Sequence, residues 1–139
     1  MKIEENYSIK DINSLRINQL AKYFCSIETV EQFIEAIEFS RLKNLPVLFI
    51  GEGSNIVFTK DYDGLVIKNK IFGKIEHDER IVEISSGENW HNFVDWSLSN
   101  ERYGLENLAL IPGTVGASPI QNIGAYGKEV STFIKEVKS

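Results

Sequence analysis

The chain has 139 residues, of which 42% are hydrophobic and 25% charged, a balance typical of a single soluble domain. Its net charge of −5 and its scattered lysines argue against nucleic acid as the main partner, because phosphate backbones favour clustered Lys and Arg. The single cysteine, Cys25, excludes an internal disulfide and a multi-cysteine metal site.

The first residues of the chain predict its compartment. Residues 1–14 form a polar, acidic lead-in without the apolar core of a signal peptide. No apolar run in the sequence approaches the ~20 residues that a membrane-spanning helix needs. We therefore expect a cytoplasmic protein with no membrane partner.

The first predicted elements are a short strand and an amphipathic helix. Residues 23–27 predict the strand, and Thr29 then begins a capping box with Gln32, which predicts a helix N-terminus. Pro46 ends the helical pattern. Four apolar residues at helical spacing give this helix one apolar face: Val30, Phe33, Ile34 and Ile37.

A glycine-rich loop lies between two apolar runs. The fully apolar Val47–Ile50 predicts a buried strand, and residues 56–58 predict another strand after the loop. Turn residues then lead into a third predicted strand at residues 64–69. Residues 80–86 predict a further strand that ends at Gly87.

The rest of the chain is less regular. Asn89 is a candidate N-cap for a second helix that reaches about Asn100. The 104–127 segment has little periodicity but is too apolar for disorder, so we interpret it as backbone laid closely against a ligand. Residues 133–137 predict the start of a strand. The apolar face of the second helix consists of Trp90, Phe93, Val94 and Leu98.

The loop at residues 51–56, GEGSNI, nearly matches the dinucleotide pattern G-x-G-x-x-G. However, Ile56 replaces the third glycine, and a strand is predicted to follow rather than a helix. No Lys or Arg lies between Pro46 and Thr59, so a bound phosphate would depend on backbone amides and the Ser54 hydroxyl. The Glu52 carboxylate would repel a phosphate unless it points away. Two interpretations stay open: a phosphate-binding loop and a tight turn without a ligand.

The 104–127 segment carries a second set of candidate ligand groups. Gln121 and Asn122 offer amides that suit the edge of a heterocycle, and Thr114, Ser118 and Tyr126 offer hydroxyls. The sequence shows no paired carboxylates, no Cys–His–Asp cluster and no metal-ligand spacing. We interpret the remaining reactive and aromatic candidates as packed or surface residues: Cys25, His77, Trp90, His91 and Trp96.

Three stretches of the sequence carry a family resemblance. They are "IGEGSNIVF", "GENW" and "GLENLALIPGTVGASPIQNIGAYG", and they closely resemble the UDP-N-acetylenolpyruvoylglucosamine reductases, flavoenzymes of peptidoglycan synthesis. The likeness runs from about Asn13 to the chain end, although Ser14 stands where the family usually has Thr. It implies a mixed α/β (α+β) fold, a two-subdomain FAD-binding domain of the vanillyl-alcohol-oxidase/p-cresol-methylhydroxylase type. The subdomains would span about residues 15–72 and 73–139, with the second incomplete and the substrate domain absent.

The resemblance also implies where FAD binds. The 51–56 loop would receive the FAD diphosphate on its amides, and residues 112–127 would wrap the flavin and the remaining parts of FAD. The implied cofactor-binding residues are Ile50, Gly51, Glu52, Gly53, Ser54, Asn55, Ile56, Ile111, Pro112, Gly113, Gly116, Ala117, Ser118, Ile120, Gln121, Asn122, Gly124, Ala125, Tyr126 and Gly127.

The implied reaction is the reduction of UDP-N-acetylenolpyruvoylglucosamine to UDP-N-acetylmuramate, with NADPH as the hydride donor to FAD. The family's catalytic Arg, Ser and Glu belong to segments beyond Ser139, so no residue of this chain is assigned to catalysis. We expect the chain to be inactive by itself, with a complementing C-terminal half as a partner. The alternative is a non-catalytic, truncated flavin-binding module.

Overall fold

The computed structural model describes residues 1–138, and contacts divide the chain into two compact units, Met1–Ile71 and Phe72–Ser139. The first unit is a four-stranded sheet in the order β1-β2-β4-β3 with one long helix. β2, β4 and β3 run parallel, and β1 is antiparallel to β2. The elements of this unit are β1 (Glu4–Ser8), β2 (Leu20–Ile27), α1 (Val30–Leu42), β3 (Val47–Ile50) and β4 (Tyr62–Asn69).

The sheet of the first unit is covered on both faces. Leu65 and Ile67 of β4 pack with Ala36 of α1 on one face. Val66 packs on the other face with Ile12 and with Phe58. Because side chains alternate along a strand, β4 is buried on both sides. Residues 1–14, interpreted above as a lead-in, contribute β1 and the 3₁₀ turn Lys10–Ile12 to this unit.

The N-terminus of α1 confirms the Thr29 cap but only half of the capping box, because the Gln32 side chain reaches the amide before the cap rather than that of Thr29. The Thr29 hydroxyl accepts a hydrogen bond from the Gln32 amide at 3.3 Å, and the Gln32 side chain accepts one from the Glu28 amide at 2.8 Å. The predicted apolar face is buried only in part. Phe33 and Ile37 pack into the core, whereas Val30 and Ile34 remain 57% and 52% exposed.

Two predicted strands of the first unit need correction. β3 is an edge strand rather than a buried one, and Phe49 is 48% exposed, because β3 pairs only with β4. Residues 56–58 form no strand, and only Phe58 of the three is buried. A short apolar run does not distinguish a strand from a loop that is held by one buried side chain.

The second unit is built from hairpins, short turns and one long helix. β5 pairs antiparallel with β6, and β7 with β8. Short 3₁₀ turns lie at Glu106–Leu108, Val115–Ala117 and Val130–Thr132. The elements of this unit are β5 (Lys74–Glu76), β6 (Val82–Ile84), α2 (Trp90–Ser99), α3 (Ser118–Gln121), β7 (Gly124–Ala125) and β8 (Lys128–Glu129).

The core of the second unit forms around α2. Trp90 and Val94 are buried against Leu108 and Val130, which confirms the predicted apolar face. The Asn89 side chain accepts a hydrogen bond from the Asn92 amide at 2.9 Å, which confirms the predicted N-cap. The strand predicted at residues 133–137 is wrong, because this stretch is irregular in the structure.

Cys25 lies in the core of the first unit and generates a direct test. Its side chain is 1% exposed, and burial raises the pKa of the thiol to about 11. The native thiol therefore stays protonated at pH 8, and we expect it to react with a thiol reagent at least about a hundredfold more slowly than in denaturant. As the pH rises, the Cys25 thiol ionises in the unfolded chain before it ionises in the folded one. Cys25 therefore lowers the free energy of unfolding as the pH rises from the ordinary thiol pKa to about 11.

Thiol labelling of the native and the denatured chain measures this difference. The denatured chain serves as the control, because it exposes the same single thiol without burial. Labelling of the native chain at the denatured rate would contradict the buried position of Cys25.

Candidate functional site

The 51–56 loop lies where the parallel strands of the first unit end. β2, β3 and β4 run parallel, so their carboxyl ends lie at the same edge of the sheet, and the loop follows β3 directly. Ligands of α/β sheets bind outside the carboxyl ends of the strands. Ile50 and Phe58 flank the loop and are buried in the same cluster. The loop is therefore held at both ends and lies beside the carboxyl ends of the strands, where ligands of α/β sheets bind.

Gly53 makes the closest backbone approach in this loop. Its φ is +66°, and a Cβ atom there would lie 2.2 Å from the carbonyl oxygen of Ile12. The Ser14 amide donates a hydrogen bond to the Gly53 carbonyl at 3.1 Å. Only glycine combines this dihedral angle with this contact, so the loop depends on Gly53 for its position against residues 12–14.

Asn13 shapes the segment against which Gly53 packs. Its side chain is 4% exposed, and its Nδ2 donates hydrogen bonds to the carbonyls of Ile9 at 2.7 Å and Ile17 at 3.1 Å. Its Oδ1 accepts one from the Ile17 amide at 3.0 Å. This role of Asn13 could not be predicted from the sequence, because the turn that it closes has no periodic pattern.

The amides of the 51–56 loop fit an anion. Within residues 1–138, the backbone amides of Gly53 and Ser54 donate no hydrogen bond to a protein carbonyl, although Gly53 accepts one from Ser14. Consecutive amides in a glycine-permitted turn form a concavity that holds anions. Ser54 is partly exposed at the same position. This donor set matches a phosphate group.

Lys68 is a cation near the loop that the sequence analysis missed. In the pairing of β4 with β3, Lys68 lies opposite Ile50, and Ile50 is the last residue before the loop. Burial lowers the pKa of Lys68, while the Glu52 carboxylate raises it and the Lys70 ammonium lowers it further. No Lys or Arg lies between Pro46 and Thr59 in the sequence, and the pairing of β4 with β3 brings Lys68 to the loop from outside that range.

In the second unit, Gly113 and Gly116 of the 104–127 segment contact the protein, whereas a Cβ atom on Gly127 would meet nothing within 4 Å. The Gly116 amide donates to the Ser86 carbonyl at 2.9 Å, and a Cβ atom on Gly116 would lie 2.6 Å from the Ser86 Cβ. The Trp90 amide donates to the Gly113 carbonyl at 2.9 Å. The first half of the segment therefore lies along residues 86–90, which comprise Ser86 and the "GENW" stretch.

Several predicted ligand groups of the segment have partners within the protein. Thr114 and Ser118 are buried, and the Ser118 hydroxyl donates to the Val115 carbonyl at 2.8 Å. Asn122 has a left-handed φ of 43°, and its side-chain amide donates to Glu129 at 2.9 Å. The Ser118 hydroxyl and the Asn122 amide help to fix the turn around α3, so these polar atoms are used within the protein.

The second half of the segment surrounds an open depression of about 570 Å³. Tyr126 lies in the turn between β7 and β8 and is 88% exposed. An exposed aromatic ring beside a polar depression can stack on a planar ligand. The depression is lined by Asn122, Gly124, Ala125, Gly127, Lys128, Glu129 and Thr132, and the first four are among the predicted cofactor-binding residues.

The other candidates have structural contacts. His77 lies 3.2 Å from the Glu83 carboxylate on the surface, and His91 Nδ1 accepts from the Leu110 amide at 3.4 Å. The Trp90 indole donates to the Leu108 carbonyl at 2.7 Å inside the core. Across residues 1–138, no group of three or more His, Cys, Asp or Glu side chains is placed to hold a metal ion.

Comparison with known proteins places this chain among flavoproteins. The family described as FAD binding domain matches residues 21–138. The UDP-N-acetylenolpyruvoylglucosamine reductase of Escherichia coli K12 is 44% identical over 137 residues, which cover 96% of this chain and 40% of the relative. The enzyme of the same name from Burkholderia orbicola is 50% identical over 125 residues, which cover 87% of this chain and 36% of the relative.

A solved structure supports the same fold. The UDP-N-acetylenolpyruvylglucosamine reductase from Thermus caldophilus aligns with a TM-score of 0.68 at 23% identity, and the alignment covers 94% of this chain and 46% of that chain. The mixed α/β FAD-binding fold expected from the resemblance is thereby confirmed. This chain spans about two fifths of the length of its curated relatives. It belongs to the FAD binding domain family, and its sequence resembles the FAD-binding part of the UDP-N-acetylenolpyruvoylglucosamine reductases.

Proposed function

We propose that this chain binds FAD and serves as the cofactor-binding part of an enzyme that reduces UDP-N-acetylenolpyruvoylglucosamine to UDP-N-acetylmuramate. The observation that carries the proposal is the 51–56 loop, whose Gly53 and Ser54 amides donate to no protein carbonyl in the described chain. Membership of the FAD binding domain family supports FAD as the ligand. The printed name of the relatives supports the reaction.

The 51–56 loop would hold the diphosphate of FAD. The Gly53 and Ser54 amides supply donors, and the Ser54 hydroxyl supplies another. The contact between Gly53 and Ile12 keeps these donors in place before the ligand arrives, which lowers the entropic cost of binding. The residues of the first unit that we propose to bind FAD are Ile50, Gly51, Glu52, Gly53, Ser54, Asn55 and Ile56.

The 104–127 segment would contact the flavin and the rest of FAD. Gly124, Ala125 and Gly127 offer backbone with small or no side chains on one part of the depression, and Tyr126 offers an exposed ring. Buried Gly113 and Ser118 would support the segment from behind. The residues proposed here are Ile111, Pro112, Gly113, Gly116, Ala117, Ser118, Ile120, Gln121, Asn122, Gly124, Ala125, Tyr126 and Gly127.

When bound, FAD supplies hydride transfer, with NADPH as the proposed donor and the enolpyruvyl double bond as the acceptor. The residues of this chain bind and orient the cofactor. We assign none of them to proton transfer, because the resemblance implies that the family's catalytic Arg, Ser and Glu belong to other segments of the enzyme.

A charge introduced at Ser54 tests the diphosphate contact. Ser54→Asp places a carboxylate beside the proposed diphosphate, and we expect FAD to bind at least about tenfold more weakly because like charges at short range repel. Ser54→Asn has nearly the same shape without the charge and serves as the matched control, with an expected change of less than about threefold. Flavin fluorescence titration measures both affinities. Equal affinities of the Asp and Asn variants would contradict a diphosphate at this loop.

The division of roles is tested by turnover. With FAD bound and NADPH supplied, we expect no sustained NADPH oxidation that depends on the enolpyruvyl substrate, because no residue of the chain is assigned to donate the proton that must add to the double bond after the hydride. The control is the same assay with a full-length relative, which should turn over. Sustained, substrate-dependent oxidation by this chain alone would show that it holds a proton donor that we have not assigned.

A further inference from the structure

A half-buried lysine lies beside the 51–56 loop. β3 and β4 are parallel, and Lys68 of β4 pairs with Ile50, the last residue of β3. Lys68 follows the buried Val66 by two positions, so both side chains lie on the same face of the sheet. Ile50, Val66 and Phe58 share the core cluster of that face. The Lys68 side chain therefore emerges on the face that the loop covers.

The charges around Lys68 connect it to the loop. Burial lowers the pKa of its ammonium, because the charged form loses solvation. The carboxylate of Glu52, the second residue of the loop, raises the pKa of Lys68 by electrostatic attraction. It therefore stabilises the charged ammonium. The attraction is reciprocal, so Lys68 offsets the negative charge that Glu52 brings to the loop.

Without Lys68, a diphosphate in the loop would be repelled by the negative charge of Glu52. Glu52 is negative, and the described loop residues 51–56 include no cation. Backbone amides provide only partial positive charge. A partly desolvated ammonium at the same edge interacts with an anion more strongly than an exposed one, because water screens it less.

We infer that Lys68 is the cationic part of the diphosphate site, offsetting Glu52 and contacting the diphosphate that the Gly53 and Ser54 amides hold. The inference rests on the proposed function, since it concerns the same loop and the same ligand. Lys68 of β4 thereby joins the diphosphate site. Its positive charge explains how a loop that contains the Glu52 carboxylate can bind an anion.

Substitution of Lys68 tests this inference through FAD affinity, measured by flavin fluorescence without any turnover. Lys68→Met keeps the length and the apolar stem of the side chain and removes the charge, and we expect FAD to bind about tenfold more weakly, as for the loss of one charge-assisted hydrogen bond. Lys68→Arg restores the charge and should retain most of the affinity. Lys70→Met removes an exposed cation two residues away and is the matched control, with an expected change below about twofold.

The charge on Glu52 provides a second readout. In Lys68→Met combined with Glu52→Gln, part of the lost affinity should return, because the carboxylate that repels the diphosphate is gone. The dependence of FAD affinity on ionic strength should also be weaker in Lys68→Met than in the unsubstituted chain. Circular dichroism of each variant confirms that the fold is retained.

The outcomes separate this inference from the proposed function. If the unsubstituted chain binds FAD and Lys68→Met binds it equally well, the role of Lys68 is wrong and the proposed function stands. An equal loss in Lys68→Met and Lys70→Met would also overturn the inference, because it would indicate general charge rather than a site. If the unsubstituted chain binds no FAD, the proposed function itself is wrong.

Discussion

The candidate site depends on one backbone contact, the packing of Gly53 against Ile12 and Ser14. A Cβ atom at Gly53 would lie 2.2 Å from the Ile12 carbonyl, and the Ser14 amide bonds the Gly53 carbonyl at 3.1 Å. The buried Asn13 side chain fixes the turn that presents these two groups. Because the Gly53 carbonyl is held from behind, the loop keeps one shape without a ligand, and its amides are preorganised for an anion.

The carboxyl ends of the parallel strands bring together two sources of electrostatic stabilisation for an anion. The loop amides supply partial charges, and strand pairing brings Lys68 next to Ile50 at the start of the loop. The Glu52 carboxylate, which the sequence analysis treated as an objection, is within electrostatic reach of Lys68. A negative residue is tolerated in an anion-binding loop when a partly buried cation offsets it.

Elements governed by local chemistry could be predicted from the sequence. The Thr29 cap and the Asn89 cap are confirmed because the groups that form them lie within three residues of each other. Predictions that required distant partners were incomplete. The apolar sequence of Val47–Ile50 does not show that β3 is an edge strand. Residues 133–137 form no strand, and Ile134 packs against the core of the second unit. Asn13 and Lys68 were missed as parts of the site for the same reason, since their neighbours are set by the fold.

The central claim is that the Gly53 and Ser54 amides hold the FAD diphosphate. The most direct measurement is an amide ¹H–¹⁵N correlation spectrum of the labelled chain, recorded during titration with FAD. The account predicts that the Gly53 and Ser54 amide protons shift downfield on binding, because each gains a charge-assisted hydrogen bond that the protein does not supply. Saturable FAD binding with both amides unshifted would contradict it and would place the diphosphate elsewhere.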